Sequence, residues 1–452
     1  DQEPTAPPVP IRFSEHLIDD NYSYAYGMAV ADLDGDGDLD LTSPDIRHES
    51  VSDMSWFENN GHGQFSRQVI HDNEPGWFER HAVGDINQDG TKDLLIGAPK
   101  RRIGFLNSAG AAFLTLRPSF NSAAQPDIEL ENSSEVLVFE GDQAYQYFGT
   151  AIASIGDLDG NGATDIAISG RDAVYIFLGE SLSSIVASLP PSTVLQASDA
   201  DITVIGPTNS FTGMALAGGR DVDADGIPDL LIGAPGSPTD STSPGRTYLV
   251  DGAALRTKII AGQDSTHAAS VSITLHGSSP ANDGEHSGHA VAFVDTSSSA
   301  ADPYIDILIG APTFPANQWG GTLGASYLVR GADLALLSAG NSIDLDMIGI
   351  GFGGIDLGGK VGSALASAGD VDGDGDEDIL IGAPETTVGT KVQAGSIYLL
   401  LAADIRSLTS PTGSFPHSIE QVASYIFRGE SAGDQAGSSV ATAGNIDGDH
   451  LD

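Results

Sequence analysis

Residues 370–384 read DVDGDGDEDILIGAP. A carboxylate stands at every second position of a short polar stretch, at Asp370, Asp372, Asp374, Asp376 and Asp378, and an apolar run closed by Gly382-Ala383-Pro384 follows at once. Acids this close repel one another unless a positive charge lies between them. Alternate oxygen donors wrapped around a glycine turn are how a chain encloses a hard cation such as Ca2+. Gly375 occupies the sixth position, where the turn is sharpest and a positive φ is least costly for glycine.

The same stretch recurs along the chain. Asp32, Asp34, Asp36, Asp38 and Asp40 make a full copy; Asp85, Asn87, Asp89, Gly90 and Asp93 make a second. Asp157, Asp159, Asn161, Gly162 and Asp165 form a third, and Asp221, Asp223, Asp225, Gly226 and Asp229 a fourth. Near Asp295 the insertion DTSSSAADPYID keeps the closing Asp306 and the tail ILIGAP without the alternating acids, and it reads as a loop that holds no metal. A last copy begins at Asn445, Asp447 and Asp449, with His450 where glycine stands elsewhere, and the sequence stops at Asp452. Seven starts at a spacing of about 50 to 75 residues point to one repeating body rather than several domains.

With 63 acidic and 19 basic residues the formal net charge is −44, and over a third of the acids belong to the loops. Such a surface argues against nucleic acid or an anionic membrane as partner, since both call for a basic face. There is no cysteine, hence no disulfide and no thiol chemistry. No apolar run is long enough to span a bilayer. The start DQEPTAPPVP, with four prolines in residues 1–10, reads as an extended tail at the beginning of a secreted protein whose signal peptide has been removed. Calcium, abundant outside cells, would take the stapling role that disulfides take elsewhere.

Within a repeat the order is clearest over residues 145–179. A strand of small residues, TAIASIG, leads into the acidic loop; DIAISG and AVYIFLG follow, and a variable segment leads to an outer strand. That gives four strands per repeat. The first strand is small in each copy (MALAGGR, SALASAG, SSVATAG), as required where many sheets converge on one axis. The expected fold is all-β, a seven-bladed propeller of four-stranded antiparallel blades over residues 11–452, with the last blade incomplete. Variable stretches 180–199, 236–245, 258–269 and 311–324 read as loops, with a helical turn at 252–259 and at 331–339.

The pair Phe148-Gly149, the DxDGNG-type loop and the Gly-Ala-Pro triplets at 97–99, 233–235, 310–312 and 382–384 together resemble FG-GAP repeats, as in the head of integrin alpha subunits and in many bacterial surface proteins. Repeats one and two depart from the pattern: Ser43-Pro44 replaces the triplet, and WFENNGHGQF (56–65) is closer to the VCBS-type repeats of large bacterial secreted proteins. The resemblance implies a propeller with about five Ca2+ ions between the first and second strands of its blades. The implied ligands are side chains at loop positions 1, 3, 5 and 9 and the backbone carbonyl of position 7. Residue by residue these are Asp32, Asp34, Asp36, Asp38 and Asp40; Asp85, Asn87, Asp89, Thr91 and Asp93; Asp157, Asp159, Asn161, Ala163 and Asp165; Asp221, Asp223, Asp225, Ile227 and Asp229; and Asp370, Asp372, Asp374, Asp376 and Asp378.

The leading functional expectation is a non-enzymatic, calcium-stabilised module at the cell surface that binds a protein or glycan ligand, or copies of itself. No HExxH and no nucleophile elbow occurs. A polysaccharide lyase or hydrolase on a propeller is the rival, with His71, His81, Tyr175 and Arg171 as available side chains, and a subunit of an extracellular fibre is a third reading. His286 and His289, three apart in a Gly-rich turn, read as structural rather than as a metal or catalytic pair. For ring closure, residues 11–19 are expected as an outer strand of the last blade, with the two strands still lacking supplied by a continuation past Asp452 or by a neighbouring subunit.

Overall fold

The runs that follow the acidic loops are all strands, and their residues go to both sides. In Asp229–Ala234 every residue is buried; Leu230, Ile232 and Ala234 join one core and Leu231 joins the next. A strand covered on both faces has no reason to alternate polar with apolar, which is why DLLIGA and DILIGA read as continuous apolar runs. The computed structural model describes residues 18, 27–48, 51–74, 78–86, 90, 92–115, 136–188, 193–236, 244–277, 284–299, 302–314, 322–408, 417–442 and 444.

These strands build six sheets. Blade one runs Ala29–Ala31, Asp40–His48, Val51–Asn59 and Phe65–Glu74, and blade two Arg80–Gly84, Asp93–Ala98, Ala111–Thr115 and Val136–Glu140. Blade three is Ile152–Gly156, Asp165–Gly170, Ala173–Phe177 and Ile202–Ile205, and blade four Ala215–Arg220, Asp229–Ala234, Arg246–Val250 and Ser272–His276. Ala290–Val294, Asp306–Ala311, Ala325–Val329 and Ile350–Gly353 form blade five. Ala364–Gly369, Asp378–Ala383, Ser396–Leu400 and Tyr425–Arg428 form blade six. Each is an antiparallel meander. The first strands of neighbouring blades lie against one another, and the small residues Ala217, Ala292 and Ala366 line a shared cavity of about 550 Å³ where they converge.

The expected seventh blade is not formed: the described residues make a propeller of six. Of the seventh repeat, residues 436–442 and 444 are described and contain no strand, so SSVATAG is not the inner strand expected of it. An inner strand needs a second strand to pair with, and the described residues offer none beside this segment; Asn445, Asp447 and Asp449 lie outside them. Counting loop starts thus gives one sheet more than the described residues form. The repeat nevertheless begins to dock as the others do. Ala436 bridges Gly395 as Phe148, Ser287 and Val361 bridge Gly110, Gly245 and Gly324, and Thr442 Oγ1 donates to Ala368 O at 3.2 Å. Residues 11–19, expected as a clasp, lie outside the described residues except for Ile18, as does the tail 1–10.

Four strands per blade is also too few for blades two to five. Val194–Gln196, Ser265–His267, Ser342–Asp344 and His417–Ser418 add a fifth to blades two, three, four and five in turn, each running parallel to the outer strand of the blade it joins. The stretches 180–199 and 258–269, expected as loops, carry these strands, and a helix over Gly179–Ser188 precedes the first. The expected helical turn at 252–259 is a nine-residue helix, Gly252–Ile260, capped by Asp251, whose carboxylate accepts from Ala254 N. Leu182 and Leu255 anchor the two helices in the cores between blades. The core as a whole is a series of such layers: one shared by blades one and two, then two and three, three and four, four and five, and five and six.

Candidate metal centre: the acidic loops between first and second strands

Each loop is wound around the carboxylate of its first position. Asp370 Oδ2 accepts from Gly375 N at 2.8 Å and Oδ1 from Asp374 N at 2.9 Å. Asp221 does the same with Gly226 N at 2.7 Å and Asp225 N at 3.1 Å, and Asp157 with Gly162 N at 2.8 Å and Asn161 N at 2.9 Å. Asp32 holds Gly35 N at 2.8 Å and Gly37 N at 3.2 Å. In the second loop Asp85 Oδ2 accepts from Gly90 N at 3.0 Å. Asn87, Asp89 and Thr91 lie outside the described residues.

This winding turns the next acids inward. Asp32, Asp34 and Asp36 bring one oxygen each within 4.8 Å of one another, and so do Asp221, Asp223 and Asp225, and Asp370, Asp372 and Asp374. In the third loop the trio is Asp157, Asp159 and Asp165, because position 5 is Asn161. Oxygens bound to one Ca2+ at about 2.4 Å stand no more than about 5 Å apart, so the spacing fits a single ion of that size. Without one, each pair of charges costs roughly 1 to 3 kcal/mol, depending on how much water screens it. The electrostatics carry this mark: burial, then the neighbouring carboxylates, raise Asp223 and Asp372 above the ordinary carboxylate range, and burial and Asp36 raise Asp34.

The acid at position 9 has a different post. Asp229 is buried; its Oδ2 accepts from Val222 N and its Oδ1 from Gly252 N, both at 2.8 Å. Asp165 holds Leu158 N and Gly179 N at 2.8 Å each, and Asp378 holds Val371 N at 3.0 Å and Ala402 N at 2.8 Å. Asp40 holds Leu33 N and Asn59 N, and Asp93 holds Ile86 N. The residue therefore ties the start of the loop to the end of the third strand. Each oxygen keeps a second lone pair that could still face a cation. Burial pushes Asp40 up to about 6 and Asp165, Asp229 and Asp378 up to about 7.

The insertion at Asp295 keeps this latch. Asp306 accepts from Gly331 N at 2.8 Å and from the Thr296 hydroxyl, which stands in for the loop's backbone N–H. Among the described residues no trio of acids gathers there. Instead the insertion leans on the sixth-blade loop: Asp295 N donates to Glu377 Oε2 at 3.0 Å, Glu377 N to Asp295 O at 2.8 Å, and Ser298 N to Asp376 Oδ1 at 2.6 Å. Arg220 pairs with Glu377, and Arg406 with Asp374 at 3.6 Å and with Asp376. The sequence does not mark these two arginines as partners of the sixth-blade loop, because Arg220 ends the first strand of blade four, far from its acid along the chain, and Arg406 follows the third strand of blade six in no recurring stretch.

The side chains available for catalysis belong to three blades. His71 is on the outer strand of blade one, edge-on to Phe78; His81 is on the first strand of blade two, with Nε2 3.0 Å from Thr42 O. Tyr175 OH accepts from Gln146 Nε2 at 2.9 Å, and Arg171 Nη2 donates to Asn209 Oδ1 at 3.0 Å.

The glycine motifs join one blade to the next. A Cβ on Gly97, Gly233, Gly310 or Gly382 would sit 2.0 to 2.2 Å from the carbonyl oxygen of Gly149, Gly288, Gly362 or Gly437 in the following repeat. Gly149 itself has φ +90°. Both glycines are thus required where two backbones touch.

The family model described as "FG-GAP repeat" matches residues 212–250 and 361–400. Integrin alpha-IIb of Mus musculus is 38% identical over 167 residues, which is 34% of this chain and 14% of the relative, and integrin alpha-IIb of Homo sapiens gives the same figures. Integrin alpha-5 of Xenopus laevis is 34% identical over 182 residues, 38% of this chain and 16% of the relative. The matches thus span about a sixth or less of the relatives' length. With sheets, loops and glycine contacts in the order these repeats require, the chain is an FG-GAP-repeat β-propeller that resembles the head of integrin alpha subunits.

Proposed function

We propose that this propeller is a calcium-stabilised, extracellular binding or adhesion module that takes a protein or glycan ligand at the cell surface. The observation that carries the reading is the trio of converging carboxylates repeated at the same place in four blades, in a chain with no cysteine to brace it. The ions would be held by the acids of positions 1, 3 and 5 in the loops beginning at Asp32, Asp157, Asp221 and Asp370, with Asn161 supplying an amide oxygen. The loop beginning at Asp85 would make a fifth site. Bound Ca2+ supplies the positive charge that lets these carboxylates share one loop, and the position-9 acids hold each loop shut around it. Likeness to integrin alpha subunits supports a binding role at a cell surface, and the division of His71, His81, Tyr175 and Arg171 among three blades favours binding over catalysis.

Thermal melting with and without EGTA tests the proposal. Each site at a hundredfold excess of free ion over its Kd adds about 2.7 kcal/mol, so chelation is expected to lower Tm by about 10 °C or more. An unchanged Tm would refute it.

A further inference from the structure

The acidic loops join the first and second strands at one end of each blade, so the FG and Gly-Ala-Pro segments, at the other end of those strands, share the opposite face. On that face the residue two before each FG-type glycine is left-handed: Tyr147, Phe211, His286, Lys360 and Gln435 have φ of 53, 53, 51, 55 and 52°. That backbone is strained for a non-glycine residue. Glycine would relieve it, yet five successive repeats carry a large side chain there.

Four of these side chains, Phe211, His286, Lys360 and Gln435, line a cavity of about 430 Å³. Its apolar wall is Met214 with Pro235, Pro312 and Pro384; its polar wall includes His289, Thr313, Ser363, Ser438 and Glu385. Lys360 Nζ pairs with Glu385 Oε1 at 2.6 Å, and both side chains stay partly exposed, 39% and 29%. His289 Nδ1 is buried and has no hydrogen-bond partner among the described residues. Burial, with the charges of Arg80 and Lys360 bearing on the ring, lowers His289 to about 4, so at neutral pH it is an uncharged imidazole. In a chain of net charge −44, this lining carries one cation, Lys360, paired with one anion, Glu385, among neutral hydrogen-bonding groups and beside an aromatic ring.

Resting on the binding-module reading above, we propose that this mouth binds a uronic-acid unit of an acidic glycan, its carboxylate on Lys360 in exchange for Glu385, its hydroxyls on His289 and Ser363, and its apolar face on Phe211 and Met214. A sugar acid uses all three kinds of wall at once. The protons of Ser363, Ser438 and Thr313 go to Lys360 O, Gln435 O and Gly284 O, so these hydroxyls and His289 Nδ1 are left to accept; an acidic peptide would bring the carboxylate but few hydroxyl donors for them.

The test is isothermal titration of the full chain, at saturating Ca2+, with a tetrasaccharide of glucuronate alternating with N-acetylglucosamine, and with the same tetrasaccharide after its carboxyls are reduced to alcohols. The acidic form is expected to bind at least tenfold tighter. Lys360→Gln should weaken it about tenfold. Glu385→Gln, which frees Lys360, should tighten it severalfold, a gain that misfolding does not produce. Equal affinity for the two sugars, indifference to both substitutions, or a preference for oligoglutamate would each overturn the proposal. EGTA melting of the same sample separates the two readings: a protein that melts earlier in EGTA but ignores the glycan refutes only this one.

Discussion

At the scale of single residues, the acidic loop divides its work between two kinds of aspartate that look alike in sequence. Those of positions 3 and 5 converge in the loop and repel each other; the one at position 9 is buried and accepts a backbone N–H bond on each oxygen. The division predicts opposite responses. Asp229→Ala leaves Val222 N and Gly252 N without acceptors in a buried setting, and should cost about 2 to 5 kcal/mol both with Ca2+ and in EGTA. Asp223→Asn should lower Tm in Ca2+ and raise it in EGTA, since it removes a ligand in one case and a repulsion in the other. Melting of both variants in both buffers reads this out, and a loss for Asp229→Ala confined to Ca2+ would reduce that residue to a mere ligand. The period-2 spacing of acids was legible in the sequence. The latch was not, because its partners lie 7 and 23 residues away on the chain.

Elements repeat this pattern of local legibility. The second strands could be read because DLLIGA and DILIGA are buried on both faces, and the first strands because their residues are small. The fifth strands escaped notice: Val194–Gln196 and Ser265–His267 are three residues each, with no alternation to mark them, and each pairs with the outer strand of the blade it joins. Glycines divide in the same way. Gly226 turns its loop at φ +89° with open space where a Cβ would lie, whereas a Cβ on Gly233 would meet Gly288 O at 2.0 Å. Gly226→Ala should therefore cost about 1 to 2 kcal/mol of backbone strain. Gly233→Ala should cost more, about 3 kcal/mol, because two blades must move apart. Denaturant titration of the pair checks the order, and a reversed order would remove the inter-blade role assigned to the triplet glycine.

For the whole molecule, stability resides between blades rather than within them, since each large core layer is shared by two neighbours. This makes the ring a chain of nearest-neighbour interfaces, each blade depending on those beside it. Among the described residues blade six has one such layer, with blade five. On its other face the described residues form a small buried cluster of Ala368, Val371 and Leu399, with the partly buried Leu380, Tyr425 and Phe427 packed against it. Its sheet also stops at four strands among the described residues, where blade five has a fifth, His417–Ser418. The outer strand of blade six, Tyr425–Arg428, is thus held on one edge by Ser396–Leu400 and packed less deeply than its counterpart Ile350–Gly353, every residue of which is buried. Local opening requires breaking only the contacts that an element shares. Native-state hydrogen exchange in Ca2+ is therefore expected to show the amides of Tyr425–Arg428 exchanging at least tenfold faster than those of Ile350–Gly353, with blades three to five slowest of all. Equal protection of the two outer strands would mean that the blades are stabilised singly and would break the link drawn here between shared cores and the stability of the ring.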